Sequence, residues 1–170
     1  MTLGVALVHR PTDAEHDRGQ RFLAEACDWI SRWGYLLCEL PVVNVYLARE
    51  RARCGDRDQA VPLIRAAADQ LFRGGQSLWG TPATGVLVET LLDRGAESDV
   101  VEAEAAIERL AAEPADEGLV TRDIWLLRMR ALLAQARGDD ETYHDYRDRY
   151  RDMATSLGFE GHMKWAEEMK

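Results

Sequence analysis

No apolar stretch in this sequence approaches the roughly 18 residues that a membrane-spanning helix requires, the longest being short runs such as residues 40–47. A transmembrane helix is therefore not expected. Residues 1–8 are mildly apolar but have neither a basic flank nor a small-residue cleavage site, so the chain reads as cytoplasmic, without a signal peptide. Cysteine is scarce: Cys27, Cys38 and Cys54 are odd in number and lie 11 and 16 residues apart. That spacing suits neither a disulfide framework nor a zinc module, and free thiols are expected. Positive charge is also in deficit. With 21 Lys and Arg against 30 Asp and Glu, the formal net charge is −9, which repels a polyanion and disfavours direct binding to nucleic acid.

Catalytic signatures are missing as well. His9, His16, His144 and His162 are scattered, with no H-E-x-x-H pair and no cysteine at ligand spacing, so no metal site is expected. None of Ser31, Ser77, Ser98 and Ser156 sits in a G-x-S-x-G elbow. The segment GGQSLWGT, around Gly75 to Thr81, has the glycines of a phosphate loop, but no lysine follows to reach the phosphates. It is expected to be an inter-hairpin loop, residues 76–81, with Trp79 docked on the core. Acid pairs such as Asp139-Asp140 and Glu167-Glu168 read as solvated helix faces or as charges complementing helix dipoles. No catalytic residue and no cofactor follows from any of these patterns.

What is present is helical periodicity. Phe22, Ala26, Trp29, Ile30 and Trp33 fall at offsets 0, 4, 7, 8 and 11, one stripe of a helix over 13–33 that Gly34 stops. Pro41 suits a first helical turn, and Cys54-Gly55-Asp56 reads as a stop followed by a cap. Ala60, Leu63, Ile64, Ala67 and Leu71 continue the pattern up to Gly74-Gly75. Later come Pro82 to Gly95, a stripe of Val100, Ala103, Ile107 and Leu110 ended by Pro114, and a helix from Arg122 that is apolar on more than one side. The last long helix carries Tyr143, Tyr146 and Tyr150, read as packing residues, before a short helix over 161–169.

The stops recur. Gly55, Gly95 and Gly138 are 40 and 43 residues apart, a period that belongs to helical-hairpin solenoids, in which stacked units bury a face that one unit alone cannot. The expected fold is all-α: a single domain over residues 1–170, forming a right-handed α-α superhelix of about three hairpins (41–74, 82–113 and 121–157) with flanking helices.

Small Ala48, the Gly55-Asp56 turn, and Ala60, Ile64 and Ala67 make the first unit resemble the second half of a tetratricopeptide repeat. More specifically, ARERARCGDRDQAVPLIRAAADQLF, GTPATGVLVETLLDRGA, EAEAAIERLAA and RDIWLLRMRALLAQARGDD, from residue 42 onwards, resemble the C-terminal helical-repeat region of actinobacterial signalling proteins. Those proteins join an adenylate cyclase domain, a signal-transduction ATPase domain and sometimes a LuxR-type DNA-binding domain. The resemblance implies a non-catalytic regulatory module that binds a protein, a peptide or sister domains of a larger chain. A small-molecule inducer held in the concave groove is the alternative. The repeat geometry would turn Arg49, Arg53, Glu89, Trp125 and Arg128 toward that groove, arginine and tryptophan being the types that dominate binding hot spots. The apolar segments 1–8 and 36–45 are candidates for pairing across a homodimer axis.

Overall fold

Stripes of leucine, isoleucine, valine and alanine at helical spacing, separated by glycine stops, dictate helices, and a computed structural model of the chain is all-helical. It describes residues 1–114 and 120–169. Helix takes 84% of the described residues, and no strand occurs among them. The helices are α1 (Thr2–Leu7), α2 (Asp13–Trp33), α3 (Leu40–Arg53), α4 (Arg57–Arg73), α5 (Ser77–Arg94), α6 (Asp99–Ala112), α7 (Val120–Arg137), α8 (Asp140–Leu157) and α9 (Glu160–Glu168), with a 3-10 turn over Leu37–Glu39. None of them is long and apolar enough to cross a membrane. The chain divides into two compact units, residues 1–90 and 91–170, the division falling within α5.

In the first unit α1 packs on α2, α2 on α3 and α3 on α4. Thr12 caps α2 by accepting from the Glu15 amide, and Gly34 ends it in the left-handed conformation at φ 66. The α1–α2 crossing is glycine on both sides. A Cβ on Gly19 would stand 2.8 Å from Val8 Cγ1 and 2.9 Å from the Gly4 carbonyl oxygen. Gly19→Ala is therefore expected to lower stability by roughly 1–2 kcal/mol, because overpacking outweighs the helix-propensity gain. Urea denaturation of the full chain reads it, and an unchanged or raised midpoint would show that α1 yields freely.

Two stretches differ from expectation. Residues 1–8, in which the sequence shows no helical stripe, contain α1. Its glycine gives no local helix signal, and packing on α2 through fully buried Val8 supplies the stability. Residues 76–81, read as a loop, are largely helix, since α5 begins at Ser77 rather than at Pro82. Gly75 (φ 68) makes the turn, and the Gln76 carbonyl then accepts from the amides of Trp79 and Gly80, which seeds the helix five residues earlier. Gly80 lets α5 approach the Phe72 ring. The Thr81 and Thr84 hydroxyls donate to the carbonyls of Ser77 and Gly80 on either side of Pro82. Trp79 is half-buried.

In the second unit α6 packs on α7, α7 on α8 and α8 on α9. Contact with both α6 and α8 explains why α7 is apolar on more than one side, with Ile124, Trp125, Met129, Ala131 and Leu133 all buried. Asp99, wholly buried, accepts from Arg94 through both carboxylate oxygens and from the Ala96 amide, which pins the α5–α6 turn. Asp139 caps α8 by accepting from the Thr142 amide. Tyr143 and Tyr150 are buried and Tyr146 is half-buried.

Candidate functional site

Helical spacing on α3 sorts its side chains onto two faces. Tyr46, Arg49, Glu50 and Arg53, at offsets 0, 3, 4 and 7, meet α2 and the segment that links it to α1. Asn44, Leu47, Ala48 and Arg51, at the same offsets, meet α4.

The first face is a polar cluster. Glu50 is 1% exposed. Its Oε2 accepts from His16 Nδ1 at 2.8 Å and from Arg53 Nε at 3.0 Å, while Arg49 Nη1 lies 3.7 Å from Oε1. Arg49 also donates to the Val8 carbonyl at 2.8 Å, and Arg53 to Asp13 Oδ1 at 2.8 Å. Burial pulls the Arg49 guanidinium below its ordinary value, with the Glu50 charge opposing that shift. The hydrogen bond to Glu50 raises Arg53. Burial also raises the Tyr46 phenol, and the Arg49 charge opposes it. This enclosed carboxylate, with the Arg49 and Arg53 guanidinium groups and the His16 imidazole around it, ties α2 and α3 to the end of α1, and its Oε1 is buried without a hydrogen bond.

The second face is open. Asn44, Leu47, Ala48 and Arg51 of α3 and Leu63, Ala66, Ala67 and Gln70 of α4 line a groove of about 420 Å³ that is half open to solvent. The α4 residues repeat the offsets 0, 3, 4 and 7, so the groove runs along both helices. Small side chains (Ala48, Ala67) form its floor, leucines flank it, and Asn44, Arg51 and Gln70 supply hydrogen-bonding groups at its rim.

In the second unit, aromatic side chains from α7, α8 and α9 converge. Trp125 meets His162 edge-on at 5.4 Å and Trp165 at 5.6 Å. The Arg128 guanidinium lies 4.8 Å from the Trp165 ring centre and 5.8 Å from that of Trp125. The Tyr150 hydroxyl and His162 Nδ1 share a hydrogen bond of 2.8 Å. Burial and, secondarily, the Arg128 charge push His162 down to about 4. Burial raises the Tyr150 phenol well above its ordinary value.

Of the five residues singled out from sequence, Arg49 and Arg53 thus meet at Glu50, Trp125 and Arg128 meet at Trp165, and Glu89 is half-buried on α5. The α3–α4 groove was missed, although its signal was in the sequence: small residues at Ala48, Ala66 and Ala67 beside Leu47 and Leu63, all at one repeating offset. Cys27, Cys38 and Cys54 are free. Among the described residues no three His, Cys, Asp or Glu side chains gather as a metal site would require. Comparison of the chain with protein-family models, with curated proteins and with solved structures finds no match.

Proposed function

We propose that this chain is a non-catalytic protein-interaction module, a tetratricopeptide-like right-handed superhelix. On the resemblance of its repeats, it acts as a regulatory arm of a bacterial signalling protein of adenylate cyclase or transcription-regulator type. The α3–α4 groove carries this reading. An apolar floor with a polar rim is the anatomy of a binding surface for a peptide segment. Leucines at Leu47 and Leu63 seat an apolar anchor, while Arg51 selects an acidic neighbour. A groove half open to solvent suits a chain that runs through it better than a compact ligand.

The second reading, an inducer-sensing domain, draws on the same groove, because about 420 Å³ falls within the size of small-molecule sites. Peptide-display selection on the purified chain separates the two. Exposed Ala66 is changed to arginine to fill the groove without touching the core. Convergence on sequences pairing an apolar anchor with an acid, weakened at least tenfold in Ala66→Arg, is the expected result. No enrichment, or equal binding by the variant, would remove the groove as a peptide site.

A further inference from the structure

The α2 stripe identified from sequence shares only Ile30 with the face that the fold buries. Gly19, Leu23 and Ile30 face inward, whereas Trp29 is 50% and Trp33 60% exposed. The chain then turns back through Gly34 (φ 66) and Leu36, whose φ of 57 is rare for a bulky side chain. That turn lays Tyr35 beside Trp29, with ring centres 6.4 Å apart, and the Leu36 carbonyl accepts from the Glu39 amide at 2.8 Å. Tyr35, Leu36 and Leu37 are 66%, 60% and 56% exposed. Residues 33–38 contain no charge. Backbone strain that holds apolar side chains in water is retained where the surface is used.

We infer that this patch is the contact between two copies of the chain, related by a two-fold axis with their α2 helices antiparallel. Charge selects this occupant. Asp28 and Arg32 lie one turn apart along the same edge of the Trp29–Trp33 stripe, at 3.9 Å, and both are well exposed. In an isologous antiparallel pair each edge meets its own copy reversed. Asp28 then faces Arg32 of the other copy, and Arg32 faces its Asp28, so the edge complements itself. A chain of net charge −9 repels its copies elsewhere, which leaves a neutral patch with a self-complementary edge as the suitable contact.

The exposed aromatic area supplies much of what such a contact needs. At the 150–250 Å² that one aromatic side chain buries, the three rings at these exposures offer roughly 350 Å² per copy. Doubled, that is more than half of the roughly 1,200 Å² that a small specific interface buries, before Leu36 and Leu37 are added. The contact uses none of the α3–α4 groove residues and stands independently of the peptide-binding reading.

Sedimentation velocity on the full chain between about 1 and 100 µM tests it. The expected species has twice the 19.2 kDa chain mass. Trp33→Glu is expected to raise the dimer dissociation constant more than tenfold with helicity by circular dichroism unchanged, because that side chain is exposed. Asp28→Arg and Arg32→Asp should each weaken self-association, and an equimolar mixture of the two should restore it as a heterodimer. A wild-type chain that stays monomeric at 100 µM, a dimer indifferent to Trp33→Glu, or a mixture that fails to recover pairing would overturn the inference. So would a monomer that sediments with lipid vesicles through Trp33, since the patch would then face a membrane.

Discussion

Glu50→Ala is expected to destabilise the first unit by roughly 3–5 kcal/mol, the usual cost of removing one partner from a buried ion pair. Three elements lose their common anchor at once. His16 on α2 loses its acceptor at 2.8 Å, Arg53 loses one of two carboxylate partners, and Arg49 is left with the Val8 carbonyl and a charge that burial already disfavours. Glu50→Gln keeps the shape but turns a neutral amide toward the two guanidinium groups of Arg49 and Arg53, so it should recover only part of the loss. Paired with Arg53→Ala, the Glu50→Ala effect should be less than additive, since both changes remove the same 3.0 Å contact. Urea unfolding followed by circular dichroism measures all of these. A loss below about 1 kcal/mol for Glu50→Ala would mean that water replaces the carboxylate and that the cluster is not closed, because solvated pairs contribute only that much.

That cluster also marks the limit of what the sequence made legible. Helix ends were readable because their chemistry is local. Gly34 and Gly158 adopt the left-handed conformation at their stops, and Asp139 caps its helix through its own side chain. Which way a helix faces is not local. Of the stripe at 22, 26, 29, 30 and 33 only Ile30 is buried, whereas Gly19 and Leu23, outside that stripe, are inside because α1 meets α2 through Gly4 and Gly19. The same contact created α1, which has no periodic signal of its own. On α3, Arg49 and Arg53 look like binding residues by type. They are taken up by Glu50, whose burial could not be inferred before α1 and α2 were known to cover it. The α3 groove residues lie two positions away in the same pattern, and their character as a surface comes from the two helices running side by side.

Trp125→Ala, at a cost of about 3–5 kcal/mol as for other buried tryptophans, is expected to be the most damaging single truncation in the second unit, and it should leave a pH signature. The ring packs against His162, Trp165 and Arg128, so its loss leaves a cavity where α7 meets α9 and admits water to the imidazole. In the intact chain His162 titrates near 4 rather than 6.5, because burial and the Arg128 charge oppose protonation. The unfolded chain binds that proton below about 6.5 and the folded chain does not until about 4. Stability is therefore full above 6.5, falls as the pH drops through this window, and levels off below it. Discounted for the partial exposure of the ring, the fall amounts to roughly 1–2 kcal/mol. With Trp125 gone, the His162 value should climb back toward 6.5 and the slope between pH 6.5 and 4 should flatten, as it should in His162→Phe. Urea midpoints at pH 7.5 and 5 for the three chains, with the imidazole titration followed by NMR, decide the matter. A slope in Trp125→Ala as steep as in the intact chain would show that the tryptophan does not shield His162, and would leave Arg128 as the source of the shift.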